Sequence, residues 1–390
     1  MKESAKLDIP RLVTQHNRYR GSCINLIASE NILSNTARKI LASDLAGRYA
    51  FRPEFYGGTR YARMIWDECE RLARIVFRAE YCNVAPLSGH IALMMALYST
   101  VSRGGEVACL PTDEAGYPGM AADKIPEALG FRVHYLPYRD HMVDVEEAAG
   151  LIASRRPQAI VLGASLILYP QPVKELADIV HEYGGRIIYD GSHVLGLIAG
   201  GHFQDPLREG ADILLGSTHK SFYGPQGGLI ATNDVDLARR LEANTLHKFV
   251  DNIHLNRVAS LAVSLEEMRR FGREYASRVI SNAKSMAERL VKEGLKVFSS
   301  ERGFTESHQV YIPMSAEAGI RARDQLEKNR IIVDMAVRMG TNEVTRRGMR
   351  EGEMRLIAKL VGRALEGENV RAEVVKLMGR FKRLKYTLDE

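Results

Sequence analysis

The sequence predicts an α/β fold: a mostly parallel sheet flanked by helices, with a smaller α/β region toward the C-terminus. Three observations predict it. Short apolar runs alternate with longer amphipathic segments through the middle of the chain. Those segments carry apolar residues at a spacing near 3.6, and several end on glycine. With 390 residues, the chain is also too long for one ordinary core.

In chain order, Glu106 to Pro111 (EVACLP) reads as the first clear strand. Ala159 to Ser165, Arg186 to Ser192, Asp212 to Thr218 and Gly227 to Asn233 read as further strands. Pro172 to Gly185 (PVKELADIVHEYGG) has helical spacing and a glycine stop. Strand and helix in alternation imply a parallel sheet covered on both faces. From about Leu255 to Glu293 the pattern is long and helical. Beyond it, Leu295 to Ser300 (LKVFSS), His308 to Met314 (HQVYIPM) and Arg330 to Met335 (RIIVDM) read as strands. Glu353 to Gly367 reads as an amphipathic helix, and a strongly basic helical tail follows. The expected division is an N-terminal arm over residues 1–48, a large α/β domain over 49–255, a connecting helix over 256–285 and a small α/β domain over 286–390.

Composition narrows the function. A hydrophobic share of 45% with 26% charged residues is the profile of a globular chain. No run approaches the roughly 18 unbroken apolar residues of a membrane helix. Met1 to Pro10 is too polar for a signal peptide, so the cytoplasm is the expected location and no membrane partner is expected. Cys23, Cys69, Cys82 and Cys109 have no CxxC spacing, which argues for buried free thiols and against a metal or redox pair. The net charge of +6 comes from Lys and Arg interleaved with Asp and Glu. That dispersal argues against nucleic acid as a partner and suits a field that draws in small anions.

Chemistry is expected beyond the C-terminal ends of the strands, where open parallel sheets bind ligands. Ser165 ends one strand there. Asp190 ends the next, with His193 three residues on, and His219 and Lys220 follow a third. Singly, such an Asp is more often a helix cap and such a His is more often structural. Together they put a carboxylate and an amine on one rim. That pair suits pyridoxal phosphate: the amine can form a Schiff base with its aldehyde, and the carboxylate can pair with its pyridinium nitrogen. Its phosphate needs backbone N–H donors at a helix start, and Ser88 and Gly89 precede the apolar helix of PLSGHIALMMAL. Taken alone, Ser88 is an ordinary N-cap. Lys220 lies in STHKSFYGPQGGLI, where Gly224, Pro225, Gly227 and Gly228 return the chain to the sheet.

Several motifs, in one order over nearly the whole chain, resemble the serine (glycine) hydroxymethyltransferase family. They are CINLIASEN from Cys23, YGGTRYARMIWDECERLARIVFRAEYCNVAPLSGHIALM from Tyr56, YDGSHVLGLIAGG from Tyr189, STHKSFYGPQGGLI from Ser217 and VRMGTNEVTRRGM from Val337. The resemblance implies the fold-type-I pyridoxal phosphate architecture, with a seven-stranded sheet. It also implies a homodimer, or a dimer of dimers, with active sites shared between subunits. Lys220 would be the Schiff-base lysine, flanked by Ser217 and His219, and Asp190 would pair with the ring nitrogen. His193 and Ser165 would lie near the phenolic oxygen. Ser88 and Gly89 would hold the phosphate. Arg338, assisted by Ser29, would clamp the carboxylate of a small amino acid. Tyr49 and Tyr56 would reach into the partner's site, toward phosphate and substrate respectively.

The chain departs from the family pattern at named positions. After Tyr49 and Ala50 the family's acid/base glutamate is Phe51, and the nearest carboxylate in sequence is Glu54. The second serine of the phosphate motif is His90. Tyr117 is the aromatic residue closest to the family histidine that stacks on the cofactor. The glycine loop becomes FVDN (Phe249 to Asn252), and Gln226 stands where an arginine is usual. The cofactor apparatus is kept, whereas the parts tied to tetrahydrofolate are changed. Serine–glycine interconversion or related aldol cleavage of β-hydroxy amino acids is the leading expectation. A folate-independent aldolase, an aminotransferase or a racemase on the same fold is the alternative. A non-enzyme that uses the basic tail as a nucleic-acid or scaffold surface is the third reading.

Overall fold

The computed structural model describes residues 8–389, so Met1 to Leu7 of the polar N-terminal stretch fall outside the described residues. Seven strands build the central sheet: β1 (Tyr81–Asn83), β2 (Glu106–Cys109), β3 (Arg132–Tyr135), β4 (Ala159–Leu162), β5 (Arg186–Asp190), β6 (Ile213–Ser217) and β7 (Gly228–Thr232). Their spatial order is β1-β7-β6-β5-β4-β2-β3. Neighbours run parallel except at β7, which is antiparallel to both β1 and β6. The central strands are buried along most of their length because both faces are covered. Ile187, Tyr189 and Leu214 face one core, while Ile188, Ile213 and Leu215 face the other.

β1 and β3 are absent from the strands read from sequence. They are the two sheet edges, short and partly exposed, so their side chains carry no continuous apolar signal.

A second core is built around β8 (Gln309–Tyr311) and β9 (Arg338–Gly340), which are antiparallel to each other. Ile24–Asn25 pairs in parallel with Ile331–Ile332, so Ile24 and Leu26 are buried in this second core and not in the first. The 38-residue helix Leu255–Lys292 links the two. Its first half packs Leu261, Leu265 and Met268 into the large core; its second half packs Ala283, Met286 and Leu290 into the small one.

Two local expectations are corrected. Leu295–Ser300 is not a strand: Gly294 leaves the long helix at φ +81°, Ser299 is left-handed, and one backbone bond, Phe298 N to Tyr311 O at 2.9 Å, ties the segment to β8. The basic tail is helical over Arg371–Gly379; beyond it the chain is irregular and docks on the protein. Among the described residues, no helix is long and apolar enough to cross a membrane.

Candidate active site

The C-terminal ends of β4, β5 and β6 open onto a cavity of about 170 Å³. Ser165, Asp190, His193, Ser217 and Lys220 line it from the strand side, and Ser88, Gly89, His90 and Tyr117 from the other. Gly89 begins the helix Gly89–Thr100, with Ser88 as N-cap accepting from Ile91 N at 3.1 Å. A Cβ on Gly89 would lie 2.3 Å from Ser217 Oγ, so glycine lets the helix start press against the end of β6. Ser217 N donates to Ser192 Oγ at 3.0 Å. Three serine hydroxyls and a helix N-terminus therefore converge on one spot, which suits an anion. Gly163, at φ +140°, allows a second close approach: a Cβ there would lie 2.2 Å from Asp190 O.

Burial pushes the Lys220 amine down to about 8, with the Arg338 charge acting the same way and Asp190 opposing both. At a value of about 8 roughly a tenth of this amine is unprotonated at pH 7, far more than for an ordinary lysine. Burial drives His219 down to about 4, with Lys220 adding to it, and its Nδ1 has no hydrogen-bond partner. His193 is held neutral by burial first and then by the Lys220 and Arg338 charges. Its tautomer follows from its neighbours. Gln309 Oε1 accepts from Ile167 N at 2.7 Å, which leaves Nε2 to donate to Ser165 O at 3.1 Å and to His193 Nδ1 at 3.0 Å. His193 Nδ1 accepts, so its proton sits on Nε2.

Arg338, on β9, reaches across from the second core. Its Nη1 donates to Ser165 O, and its Nη2 pairs with Asp334 at 3.1 Å. Its Nε is buried and unpartnered. The guanidinium thus keeps one unused donor, the kind of group a carboxylate takes up.

A sequence profile of the serine hydroxymethyltransferase family matches residues 3–361. The serine hydroxymethyltransferase of Methanothermobacter thermautotrophicus is 39% identical over 405 residues, covering 98% of this chain and 95% of that one. That of Archaeoglobus fulgidus is 38% identical over 410 residues, covering 98% and 93%. The chain belongs to the serine hydroxymethyltransferase family. In the crystal structure of L-threonine transaldolase from Pseudomonas fluorescens the same fold recurs, with a TM-score of 0.90 at 24% identity over 98% of this chain and 93% of that one. This member of the family is a pyridoxal phosphate enzyme of the hydroxymethyltransferase type. Its cavity offers the groups that cofactor needs: a serine-lined helix start suited to an anion, a buried amine and a carboxylate.

The remaining residues singled out in the sequence divide in two. His90 and Tyr117 meet, with His90 Nδ1 2.9 Å from the Tyr117 hydroxyl. Burial first, then Asp190, raises the Tyr117 phenol. Tyr49 and Tyr56 are not brought to the cavity of their own chain. Both are exposed, and their rings contact each other at 5.8 Å and Phe51 at 6.2 and 5.7 Å. Ser29 follows Ala28, whose carbonyl accepts from His308 Nε2 at 3.1 Å, and no described hydrogen bond joins Ser29 to Arg338. Glu54, the nearest carboxylate to Phe51 in sequence, is engaged by its own neighbours. Thr59 Oγ1 donates to it at 2.5 Å and Arg63 Nη1 at 2.9 Å, and these contacts, Thr59 first, hold its carboxyl below the usual range. Gln226 is exposed, and Phe249 packs edge-on against Tyr98.

Sequence reasoning missed Gln309, His308 and Asp334. His308 and Gln309 were visible only as part of an apolar strand. The signal that could have found them is two adjacent polar residues, fully buried here, at the start of such a run.

Proposed function

We propose that this enzyme breaks and forms the Cα–Cβ bond of small β-hydroxy amino acids, serine foremost, with Lys220 as the residue that carries pyridoxal phosphate. The observation that carries the reading is the Lys220 amine, near 8, on the same cavity as Asp190, with Arg338 bonded to Ser165 of the cavity wall and its Nε unpartnered. In this reading Arg338 binds the substrate carboxylate through Nε and an adjacent Nη hydrogen, with Ser29 nearby. Ser88, Gly89, Ser217 and His90 hold the phosphate. Tyr117 covers the ring, and Asp190 holds a proton at the ring nitrogen. His193, with its proton on Nε2, and Ser165 serve the ring's phenolic oxygen.

Cleavage takes the proton from the β-hydroxyl, breaks Cα–Cβ, releases the β-carbon as an aldehyde and returns a proton to Cα. When bound, the cofactor supplies an electron-withdrawing ring that takes up the pair left on Cα. The Lys220 amine, lowered by burial, is the base assigned to the proton transfers, and the buried, neutral His219 is its neighbour.

A homodimer with shared sites accounts for Tyr49 and Tyr56, which would complete the partner's cavity. The cytoplasm is the proposed location, and the division into arm, large domain, connecting helix and small domain is the proposed organisation. A second reading, a folate-independent aldolase, is favoured by Phe51 and by the engagement of Glu54 with Thr59 and Arg63. One experiment tests both. Cleavage of serine, allo-threonine and α-methylserine is assayed with and without tetrahydrofolate, in wild type and Lys220→Ala. Activity on at least one substrate that vanishes in the variant supports the first reading; no activity on any substrate in wild type overturns it. A large folate stimulation eliminates the second.

A further inference from the structure

Lys220 is fixed from behind by a chain of contacts that runs to the last described residues. Its carbonyl accepts from Asn31 Nδ2 at 2.8 Å, and the same amide donates to the Tyr275 hydroxyl at 3.0 Å. The amide has one possible orientation, because Asn31 Oδ1 accepts from Ile32 N at 2.9 Å. The Tyr275 hydroxyl then donates to Ser221 O at 3.0 Å. Two consecutive carbonyls of the lysine turn are thus pegged by one side chain from the N-terminal segment and one from the long helix.

Tyr275 is itself wedged. Its ring meets Tyr223 edge-on at 4.8 Å and Tyr386 at 5.5 Å. The Arg346 guanidinium lies 3.8 Å over Tyr223 and pairs with Glu267 at 2.6 Å, and both charged side chains are fully buried. The segment from Lys385 closes this cluster. Arg346 Nη1 donates to Lys385 O at 3.0 Å and to Tyr386 O, while Thr387 Oγ1 and Leu388 N donate to Glu267 Oε1 at 2.9 and 3.1 Å. A buried ion pair with hydrogen bonds left open costs stability, and here the tail backbone fills them.

We infer that Asn31 and Tyr275 are positioning residues for Lys220, and that the segment Lys385–Leu388 is a clasp that acts on the lysine through Tyr275. The inference rests on the reading of Lys220 as the cofactor lysine. A lysine amine on four rotatable bonds is placed no better than its backbone. Freeing the two carbonyls lets the turn drift and changes both the amine's surroundings and its hold on the cofactor.

The test uses the cofactor-loaded enzyme. Two quantities are read from the absorption of the bound cofactor: the pH midpoint of its titration and the rate of cofactor loss on dilution. Tyr275→Phe keeps the ring packing and removes the two hydroxyl bonds. It should speed cofactor loss about tenfold, the effect of a lost buried hydrogen bond, and shift the midpoint. Asn31→Ala should do the same. Thr387→Val should act in the same direction but more weakly, and the Tyr275→Phe, Thr387→Val double variant should match Tyr275→Phe alone. Unchanged midpoints and release rates, or strictly additive effects in the double variant, overturn the inference. Lys220→Ala separates the two levels. If it keeps the cofactor band, the reading of Lys220 fails. If it loses the band while Tyr275→Phe stays at the wild-type midpoint, only the positioning inference fails.

Discussion

Around Lys220 the chain leaves little backbone to itself, whereas the segment from Tyr49 to Tyr56 stands on the surface with its rings touching one another. Lys220 and Ser221 have both carbonyls bonded from behind, and Gly224 N donates to Thr218 O at 2.6 Å within the same turn. In the other region Phe55 is 79% exposed, and Tyr49 and Tyr56 are 44% exposed. The interior of one chain completes the first region. The second is the part that, in the dimeric reading proposed above, another copy would cover. The difference teaches which half of the chemistry the sequence protects. The cofactor half sits among groups whose change would strand buried polar atoms, while Phe51 stands in an exposed aromatic group where the family pattern has a glutamate.

Four variants or conditions break or sharpen this contrast. The largest effect is expected from Lys220→Ala, which should lower kcat by about a thousandfold or more and abolish the visible band of bound cofactor. Arg338→Ala should follow. Losing a charge-assisted clamp should reduce kcat/KM roughly a hundredfold, mostly through KM, in steady-state assays on serine; Arg338→Lys should recover little of it, since an ammonium cannot fork onto a carboxylate. On the exposed side, Phe51→Glu restores a carboxylate where the family keeps one. It should raise folate-stimulated serine cleavage about tenfold while leaving cofactor affinity unchanged. An equal loss of cofactor binding would show that the two regions are not separable.

The smallest effect concerns pH and the apoprotein. The Lys220 amine is held at about 8, below the ordinary lysine value of 10.5. Below the folded value both states bind the proton, and the burial cost is fully present. Between the two values the unfolded chain binds more protons than the folded one, so stability rises with pH across that window. Chemical denaturation of cofactor-free protein should show this rise above pH 8, and Lys220→Met should remove it.

The central sheet was legible because its inner strands are buried on both faces, so Ala159–Leu162 and Ile213–Ser217 are buried at every position and read as apolar runs up to Ser217. The edges were not, because Tyr81–Asn83 and Arg132–Tyr135 are half solvent-facing. That Asp190 and Lys220 line one cavity was legible because strand ends gather at one rim in this architecture. Gln309 was not. Its role depends on β8 crossing to the β4 loop some 140 residues earlier, at Ile167 and Ser165. Spacing within one segment cannot report such a meeting. Glu54 differs: its partners Thr59 and Arg63 lie five and nine residues on in the same segment.

The helix Leu255–Lys292 has a mechanical consequence. At a rise of 1.5 Å per residue its 38 residues make a rod of about 57 Å. Leu261 and Met268 are embedded in one core, Met286 and Leu290 in the other. A single unbroken beam shared by two bodies transmits torque between them. Arg338, from the smaller body, cannot swing away from Lys220, in the larger, as a door swings on a loose hinge; the beam must bend or one of its sockets must slip. Such a molecule should unfold as one cooperative unit, with both cores losing their packing together.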